Sequence, residues 1–352
     1  MTARASSRAI RSYMRKVERG DKLNILTFAT HERYEENLCQ TGHNFYSLQY
    51  GKEWDTTYAP IPSNYHIVKT IPNHVDIDLI LAHTSCNRLQ IAHDLLSGVT
   101  GLTENQISVP ILRHSHVLPH VDVDMDLQIN SYKAIDVDKN SFISEYNLRA
   151  WGYRPEEAEI IRHGIDTEFW RPMEDGDTPS HRLFQEPLDL CLSVVNEFPQ
   201  RDWCCGFELW KEVTKNLPKL VVGKCTTHVN FSQPASCKEE LRNYYQRARL
   251  FLNTSLHSPV PTVMMEAMAC GCPVVSTATC MIPEIIEHGV NGLLANTAEE
   301  LEFWCKELLQ NPELAKKIGD NGRKTIEEKY NLSRFLKDWN NLFYQTIGDY
   351  KC

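Results

Sequence analysis

The sequence predicts an α/β protein of two Rossmann-like domains, each a doubly wound parallel sheet, that face each other across a cleft. Two observations predict this fold class. Strand patterns alternate with helical patterns along the 352 residues, and the alternation restarts after a stretch rich in Pro, Gly and Asp at 171–187. A chain of this length can form two ordinary cores. We expect a first domain at 1–170, a linker at 171–187, a second domain at 188–332 and a last helix within 333–352.

The first domain has the element order of an open parallel sheet. The segment "HERYEENLCQTGH" at 31–43 predicts a loop and a helix that stops at a glycine, and "SFISEYNLRAWG" at 141–152 predicts a helix with a similar end. Ligands of such sheets bind beyond the carboxyl ends of the strands. The predicted strands are 22–30, 45–50, 75–83, 109–116, 131–138 and 159–166, the last with a turn.

The second domain repeats the alternation. Helices are predicted at 205–216 and 237–248, in a short apolar segment with Glu266 at its head, and from 296 to the C-terminus. The predicted strands are 188–196, 219–224, 249–255, a segment just after Gly271, and 291–295. We expect the chemistry in the cleft that the two sheets leave between them.

The composition is that of a globular protein. No apolar run approaches the roughly 18–20 residues of a membrane span, and the N-terminus lacks the apolar centre of a signal peptide. The twelve cysteines do not follow zinc-ribbon spacings, which favours reduced and mostly buried thiols. We therefore predict a cytoplasmic protein.

The charge is unevenly distributed. The first 22 residues hold seven Lys or Arg and two Asp or Glu, a balance of +5, so the other 330 residues carry −14 of the net −9. Within this leader, at about 4–19, the residues Ile10, Tyr13, Met14 and Val17 form one apolar helix face with basic flanks. Such a helix is a candidate for peripheral contact with a membrane or another polyanion. The alternative is a surface helix packed on its own domain.

One block of the second domain resembles a known family. The sequence "LFLNTSLHSPVPTVMMEAMACGCPVVSTATCMIPEIIEHGVNGLLA" at 250–295 resembles the retaining glycosyltransferases of family 4, also called glycosyl transferases group 1, which have the GT-B fold. The first domain resembles the family more weakly, as in "IIRHGIDTEFWRP" at 160–172. The resemblance implies a GT-B fold whose last helix crosses back to the first domain. It also implies an enzyme that moves a hexose or pentose from a nucleotide-diphosphate sugar, first of all a UDP-sugar, to a hydroxyl acceptor with retention, without a metal or other cofactor.

The same block assigns the donor-binding residues by resemblance. Glu266 is expected to bind the ribose, because one carboxylate can accept hydrogen bonds from both hydroxyls. The N–H groups near Thr262 and Val263 are expected to face the phosphate or sugar, helped by the helix dipole. The alternative is a glutamate that only favours the dipole of its own helix.

The chain departs from the family pattern at three places. Ser258 stands where the family has the first of two glutamates, so its hydroxyl is the candidate replacement, together with His257. Asn196-Glu197 stands where a Gly-Arg pair is usual, and Cys205 stands where a lysine is usual. Arg201, as a catalytic residue on the leaving diphosphate, and Lys224 are therefore the predicted phosphate ligands. An ordinary surface arginine is the alternative for Arg201.

The first domain supplies the remaining candidates. By resemblance, His116 is the predicted catalytic histidine near the donor sugar and its phosphate, with His114 as second choice. The loop after the first strand is expected to contact acceptor or donor through Thr30, His31, Glu32 and Arg33.

The stretch "HSHVLPHVDVDMD" at 114–126 raises a metal alternative. Its histidines and alternating aspartates are ligand types for a divalent metal. Alternating Asp also fits the polar face of a strand or loop, and D-x-D recurs at 76–78 and 136–138. We predict no metal.

The acceptor is not determined by the sequence. A glycan or other small acceptor is the default, and the alternatives are a membrane lipid or, as for some phage enzymes, hydroxymethylated DNA bases. The acidic balance outside the leader weakens the DNA alternative. The family departures leave open another class, a non-catalytic protein that binds a nucleotide-sugar or glycan.

Overall fold

The computed structural model describes residues 19–28, 30–48, 53–69, 71–72, 74–83, 109–174, 188–227 and 231–350. The chain forms two compact units, one of Met1–Arg162 with Phe335–Cys352 and one of His163–Arg334. The predicted leader, except for residue 19, and the predicted linker from 175 onward lie outside the described residues. None of the helices within those ranges is both long enough and apolar enough to cross a membrane.

The first unit is built on a seven-stranded parallel sheet. The strand order is β3-β2-β1-β4-β5-β6-β7, so the order reverses between β1 and β4. The strands are β1 (Asn24–Phe28), β2 (Asn44–Leu48), β3 (Tyr65–Val68), β4 (Leu79–His83), β5 (Ile111–Ser115), β6 (Lys139–Phe142) and β7 (Glu159–Ile160). The helices described before the second unit are α1 (Glu32–Cys39), α2 (Met125–Lys133) and α3 (Glu145–Ala150).

One prediction for this unit was wrong, and one strand was not predicted. The segment 131–138, predicted as a strand, holds the end of α2 and a turn, and the strand follows as β6. Asp124 explains the helix, because its side chain accepts the N–H of Leu127 at 2.7 Å and thereby caps the first turn. Strand β3 was not predicted, since its alternation of buried and exposed residues covers only four positions.

The second unit is built on a five-stranded parallel sheet of order β12-β11-β10-β8-β9, which reverses between β8 and β10. Its strands are β8 (Leu188–Val194), β9 (Lys219–Val222), β10 (Ala248–Asn253), β11 (Val274–Thr277) and β12 (Leu293–Ala295). Its helices are α4 (Asp202–Cys205), α5 (Phe207–Val213), α6 (Lys238–Arg247), α7 (Thr262–Ala269), α8 (Ile282–Ile285), α9 (Ala298–Gln310) and α10 (Pro312–Lys329).

The two units divide between Arg162 and His163, eight residues before the predicted end of the first domain. Ile165 explains the difference: its N–H donates to the Tyr330 carbonyl at 2.8 Å, and its carbonyl accepts the N–H of Leu332 at 2.9 Å. The segment after Arg162 is thereby joined to the end of the second unit.

The last helix, α11 (Leu332–Asp349), packs within the first unit from Phe335 onward. Trp339 and Phe343 have no exposed surface. The ring of His43 lies 5.7 Å from that of Phe343, and the ring of Tyr34 lies 5.6 Å from that of Phe335. These contacts pack residues from the far end of the sequence against α1 and the start of β2.

The cysteines behave as predicted in the ranges that the structure describes. Ten of them are free thiols, and seven of these are buried. Burial raises the pKa of Cys205 to about 12, so its thiol stays protonated at neutral pH.

Candidate functional site

Glu266 is a buried carboxylate on α7. It is the fifth residue of the helix, not at its head, so the dipole of the first turn is a weak reason for its presence. Only 4% of the residue is exposed, and its neighbours Met264, Met265 and Met268 have no exposed surface. The hydroxyl of Tyr245, on α6, donates to its Oε2 at 3.1 Å. A carboxylate in such apolar surroundings requires polar partners, and a bound hydroxyl is a suitable one.

The loop before α7 is fixed to the segment after β8 by hydrogen bonds to backbone carbonyls of that segment. The Thr254 hydroxyl donates to the carbonyls of Cys205 and Gly206, each at 3.0 Å. The N–H groups of Leu256 and His257 both donate to the Cys204 carbonyl, at 2.9 and 3.1 Å. This joins the two loops at the point where the strand order reverses, the usual ligand position in such sheets.

Gly206 allows this close approach. Its φ is +70°, and a Cβ at this position would lie 2.1 Å from the Thr254 carbonyl oxygen. Only glycine therefore fits between α4 and α5 at this distance from the end of β10.

The loops after β8 and β9 are joined in a similar way, but by side chains of the departing Asn196-Glu197 pair. The Asn196 Oδ1 accepts the N–H of Lys224 at 2.9 Å. Glu197 has a φ of +51°, and its Oε2 accepts the N–H and hydroxyl of Thr226 at 3.0 and 2.9 Å. The pair thus replaces the usual Gly-Arg by an internally bonded, negatively charged turn.

The structure brings the predicted donor-binding residues to one edge of the second sheet, since each follows the carboxyl end of a strand. Arg201 ends a short 3₁₀ turn after β8 and is exposed, with its Nη1 3.5 Å from the Asn196 carbonyl. Lys224 is exposed beyond β9. Ser258 is half-buried in the loop before α7, and Thr262 and Val263 are the half-buried first two residues of that helix.

The first unit has its own cluster of polar side chains at the reversal point between β1 and β4. His116, just past β5, is half-buried, and its Nε2 lies 2.9 Å from the Nδ1 of His83, the last residue of β4. The Nε2 of His83 lies 3.7 Å from the Oε1 of Glu35 on α1. Thr30 donates its hydroxyl to the same oxygen at 2.9 Å. Neither Glu35 nor His83 was predicted, because they lie on separate elements about 50 residues apart.

His114 does not lie on the loop where it was expected. It belongs to β5 and has no exposed surface. Its Nδ1 lies 2.8 Å from the Ser141 hydroxyl, and its ring packs 4.8 Å from that of Trp339 on α11. These contacts make it part of the core beneath His116.

The four residues predicted as contacts on the loop after β1 also have different surroundings in the structure. Glu32 is buried, and its Oε1 accepts the N–H of Asp55 at 3.2 Å, so it holds a neighbouring loop. His31 is exposed, with its ring 5.7 Å from that of Tyr58, and Arg33 is half-buried. Of the four predicted residues, Thr30 joins the histidine cluster through Glu35.

The D-x-D stretch has a structural role at one of its positions. Asp124 caps α2. The N–H of Asp122 donates to the Nδ1 of His120 at 3.3 Å within the preceding turn. Across the described ranges, no three His, Cys, Asp or Glu side chains are grouped so that they could hold a metal ion.

Comparisons with known proteins agree with this geometry. The family described as Glycosyl transferases group 1 matches residues 222–325, which include α7. Alpha-maltose-1-phosphate synthase of Mycolicibacterium smegmatis is 25% identical over 56% of this chain, and the match spans 57% of that relative. An uncharacterized glycosyltransferase of Methanocaldococcus jannaschii is 26% identical over 84% of this chain and 82% of its own length.

A solved structure matches both units. The HepE protein of Anabaena, in complex with UDP-glucose, aligns with a TM-score of 0.70 at 15% identity and covers 92% of this chain and 99% of its own. At this identity the likeness concerns the fold. Residues 222–325 therefore match the glycosyl transferases group 1, and the two parallel-sheet units have the GT-B fold.

Proposed function

We propose that this protein transfers a sugar from a UDP-sugar to a hydroxyl acceptor with retention of the anomeric configuration. The observation that carries the proposal is Glu266, a carboxylate buried among methionines beside loops that are fixed by backbone contacts. A carboxylate buried at such an energetic cost fits a ribose ligand better than a structural ion. The UDP-glucose in the related HepE structure supports a uridine donor.

The other residues of this edge would act on the diphosphate. The first N–H groups of α7, at Thr262 and Val263, have no partner within the helix and suit phosphate oxygens. Arg201 and Lys224 supply positive charge from the loops after β8 and β9. Charge on the leaving diphosphate rises as the glycosidic bond weakens, so cations placed there stabilise the transition state more than the bound donor. Ser258 is proposed as a hydroxyl ligand of the sugar. In the first unit, His116 is proposed as the catalytic histidine.

The donor proposal is tested by thermal shift with UDP, GDP, ADP and their sugar conjugates, with and without EDTA. Since no resident cofactor or metal is proposed, UDP and UDP-sugars should raise the unfolding temperature equally in both conditions. Stabilisation that disappears with EDTA would contradict metal independence. Preference for GDP or ADP would contradict the uridine donor.

A second candidate function is non-catalytic binding of a nucleotide-sugar. The observation that favours it is Glu197, whose carboxylate stands where the family has Gly-Arg and is bonded to Thr226. Release of UDP from UDP-glucose separates the two candidates. A transferase should release UDP in the presence of an acceptor and, more slowly, to water, whereas a binding protein should bind UDP-glucose without turnover.

The acceptor class is open to the same assay. We propose a glycan or other small hydroxyl acceptor in the cytoplasm, with lipid and hydroxymethylated DNA as alternatives in which the basic leader would assist. Removing residues 2–19 should then leave transfer to small acceptors intact. Equal loss on small, lipid and DNA acceptors would show that the leader serves the fold, not the choice of acceptor.

A further inference from the structure

We propose that Glu35 and His83 are positioning residues that fix the tautomer and orientation of His116. This inference rests on the proposed function, because it concerns the proposed catalytic histidine. It assigns to two residues from other elements the task of determining which His116 nitrogen faces a substrate.

The geometry is a chain of contacts from the interior of the first unit outward. Glu35 is 1% exposed, and His83 is also 1% exposed. The Glu35 Oε1 lies 3.7 Å from His83 Nε2, an ion-pair distance longer than a hydrogen bond. His83 Nδ1 lies 2.9 Å from His116 Nε2, a hydrogen-bond distance. His116 is the half-buried member of the three.

Thr30 indicates the charge of the carboxyl group. Its hydroxyl and its N–H both donate to Glu35 Oε1, at 2.9 and 3.3 Å. Two donors on one oxygen favour the ionised form, which can only accept. A negative Glu35 in turn favours a proton on the facing Nε2 of His83.

The proton positions then follow in order. With its proton on Nε2, neutral His83 has a lone pair on Nδ1 and accepts from His116. His116 therefore carries its proton on Nε2, and its Nδ1 is the acceptor nitrogen. A second proton on Nδ1 would make His116 an imidazolium, whose positive charge Glu35 stabilises through His83.

The packing around the rings limits the competing influences. The other titratable groups in ring contact are Tyr34 on α1, with its ring centroid 4.5 Å from that of His116, and His114 on β5, also at 4.5 Å. From α11, Phe335 packs against Tyr34 and Trp339 packs against His114. Glu35 is an acidic group that faces His83 within ion-pair distance.

The test is nitrogen NMR of the full chain labelled with ¹⁵N-histidine, recorded between about pH 5 and 9, with His83 and His116 assigned by single substitution. We expect both rings to be Nε2–H tautomers when neutral. Glu35→Gln should lower the apparent pKa of the coupled pair by about one pH unit, because an opposite charge at this distance is lost. A His116 ring with its proton on Nδ1 would contradict the proposal.

Two further variants control for a purely structural effect. Glu36→Gln removes the same charge from the next position of α1 and should leave the titration of both rings unchanged. Thr30→Val removes one donor to Glu35 while keeping the fold of the loop, and should shift the pair in the same direction as Glu35→Gln but less. Equal shifts in Glu36→Gln and Glu35→Gln would mean that the effect is general helix charge, and would overturn the assignment.

These spectra need no substrate, so they separate the two proposals. If the tautomers and the shift are as expected while no UDP-sugar binds, the positioning pair stands and the proposed function fails. If a UDP-sugar is turned over while Glu35→Gln leaves the histidine titration unchanged, the function stands and the positioning pair fails.

Discussion

The proposed donor edge of the second unit (Glu266 with the loops after β8, β9 and β10) and the histidine cluster of the first unit (Glu35, His83 and His116) are built in different ways. At the donor edge, backbone groups join the loop after β8 to the loop before α7: the Cys204 carbonyl accepts two N–H groups, and Gly206 lies against the Thr254 carbonyl. In the histidine cluster, side chains from α1, β4 and β5 contact one another through Glu35, His83 and His116. The geometry of a site held by backbone groups depends on where glycines and helices lie. The geometry of a side-chain cluster depends on the identity of each residue in it.

The largest expected effect is on donor binding. Glu266→Gln keeps the size of the side chain but removes the charge from the proposed ribose ligand. A hydrogen bond to a charged group contributes about 1.5–3 kcal/mol, and the amide offers one ribose hydroxyl an uncharged oxygen and the other a donor, so UDP binding should weaken by roughly 100-fold or more. Tyr245→Phe, which removes one hydroxyl donor to Glu266, is the matched control and should weaken binding by less than about tenfold. Unchanged UDP affinity in Glu266→Gln would remove Glu266 from the donor site.

The next largest effect tests the backbone contact of the donor edge. Gly206→Ala places a Cβ 2.1 Å from the Thr254 carbonyl oxygen at a φ of +70° and should lower the free energy of unfolding by about 3 kcal/mol or more. Gly289→Ala is the control, since its φ is +79° but no atom lies within 4 Å of the added Cβ. It should cost only about 1–2 kcal/mol. Urea unfolding measures both, and equal losses would mean that the close approach is unimportant.

A third effect concerns pH and the first unit. Burial lowers the pKa of His43 to about 4, and its Nδ1 accepts the N–H of Leu23 at 3.2 Å. The unfolded chain, with an ordinary histidine pKa near 6.5, binds the proton more readily. The contribution of neutral His43 to the free energy of unfolding is therefore complete above about pH 6.5. It is lost as the pH falls toward 4, by about 3 kcal/mol at most.

Unfolding followed between pH 7 and 4 checks this effect in the parent and in His43→Gln. The variant should be less stable at pH 7 but should lose less stability on acidification. If the free energy of unfolding falls equally with pH in the parent and in His43→Gln, a group other than His43 causes the loss of stability.

The smallest effect separates a helix cap from a metal ligand. Asp124→Ala should cost about 1 kcal/mol, because Leu127 loses its capping acceptor. Asp122→Ala is the control, because this side chain is 82% exposed, and it should change the free energy of unfolding by less than about 0.5 kcal/mol. Loss of activity in Asp124→Ala that added Mn²⁺ restores would favour the metal alternative over the cap.

Much of the second unit could be predicted because its signals are contiguous. The block from 250 to 295 contains the strand, loop, helix and turn that carry Glu266, and the structure has these elements in that order. Even there, Glu266 lies one turn further into its helix than expected, since Thr262 already begins α7.

The histidine cluster could be predicted only in part. His116 stands out at the end of a strand, but Glu35 and His83 acquire their roles through the parallel pairing of β4 with β5 and the packing of α1. Glu32 and Glu35 are both buried glutamates of one helix, yet one bonds to a neighbouring loop and the other contacts a histidine. Sequence spacing does not distinguish them, because their partners come from segments that the fold brings together.

Isothermal titration of the full chain with UDP in EDTA tests the central claim most directly. We predict one metal-independent site per chain, and a heat signal that Glu266→Gln abolishes while Glu35→Gln leaves it intact. Absence of UDP binding in the parent, or equal loss in both variants, would contradict a donor site that is built on α7 of the second unit.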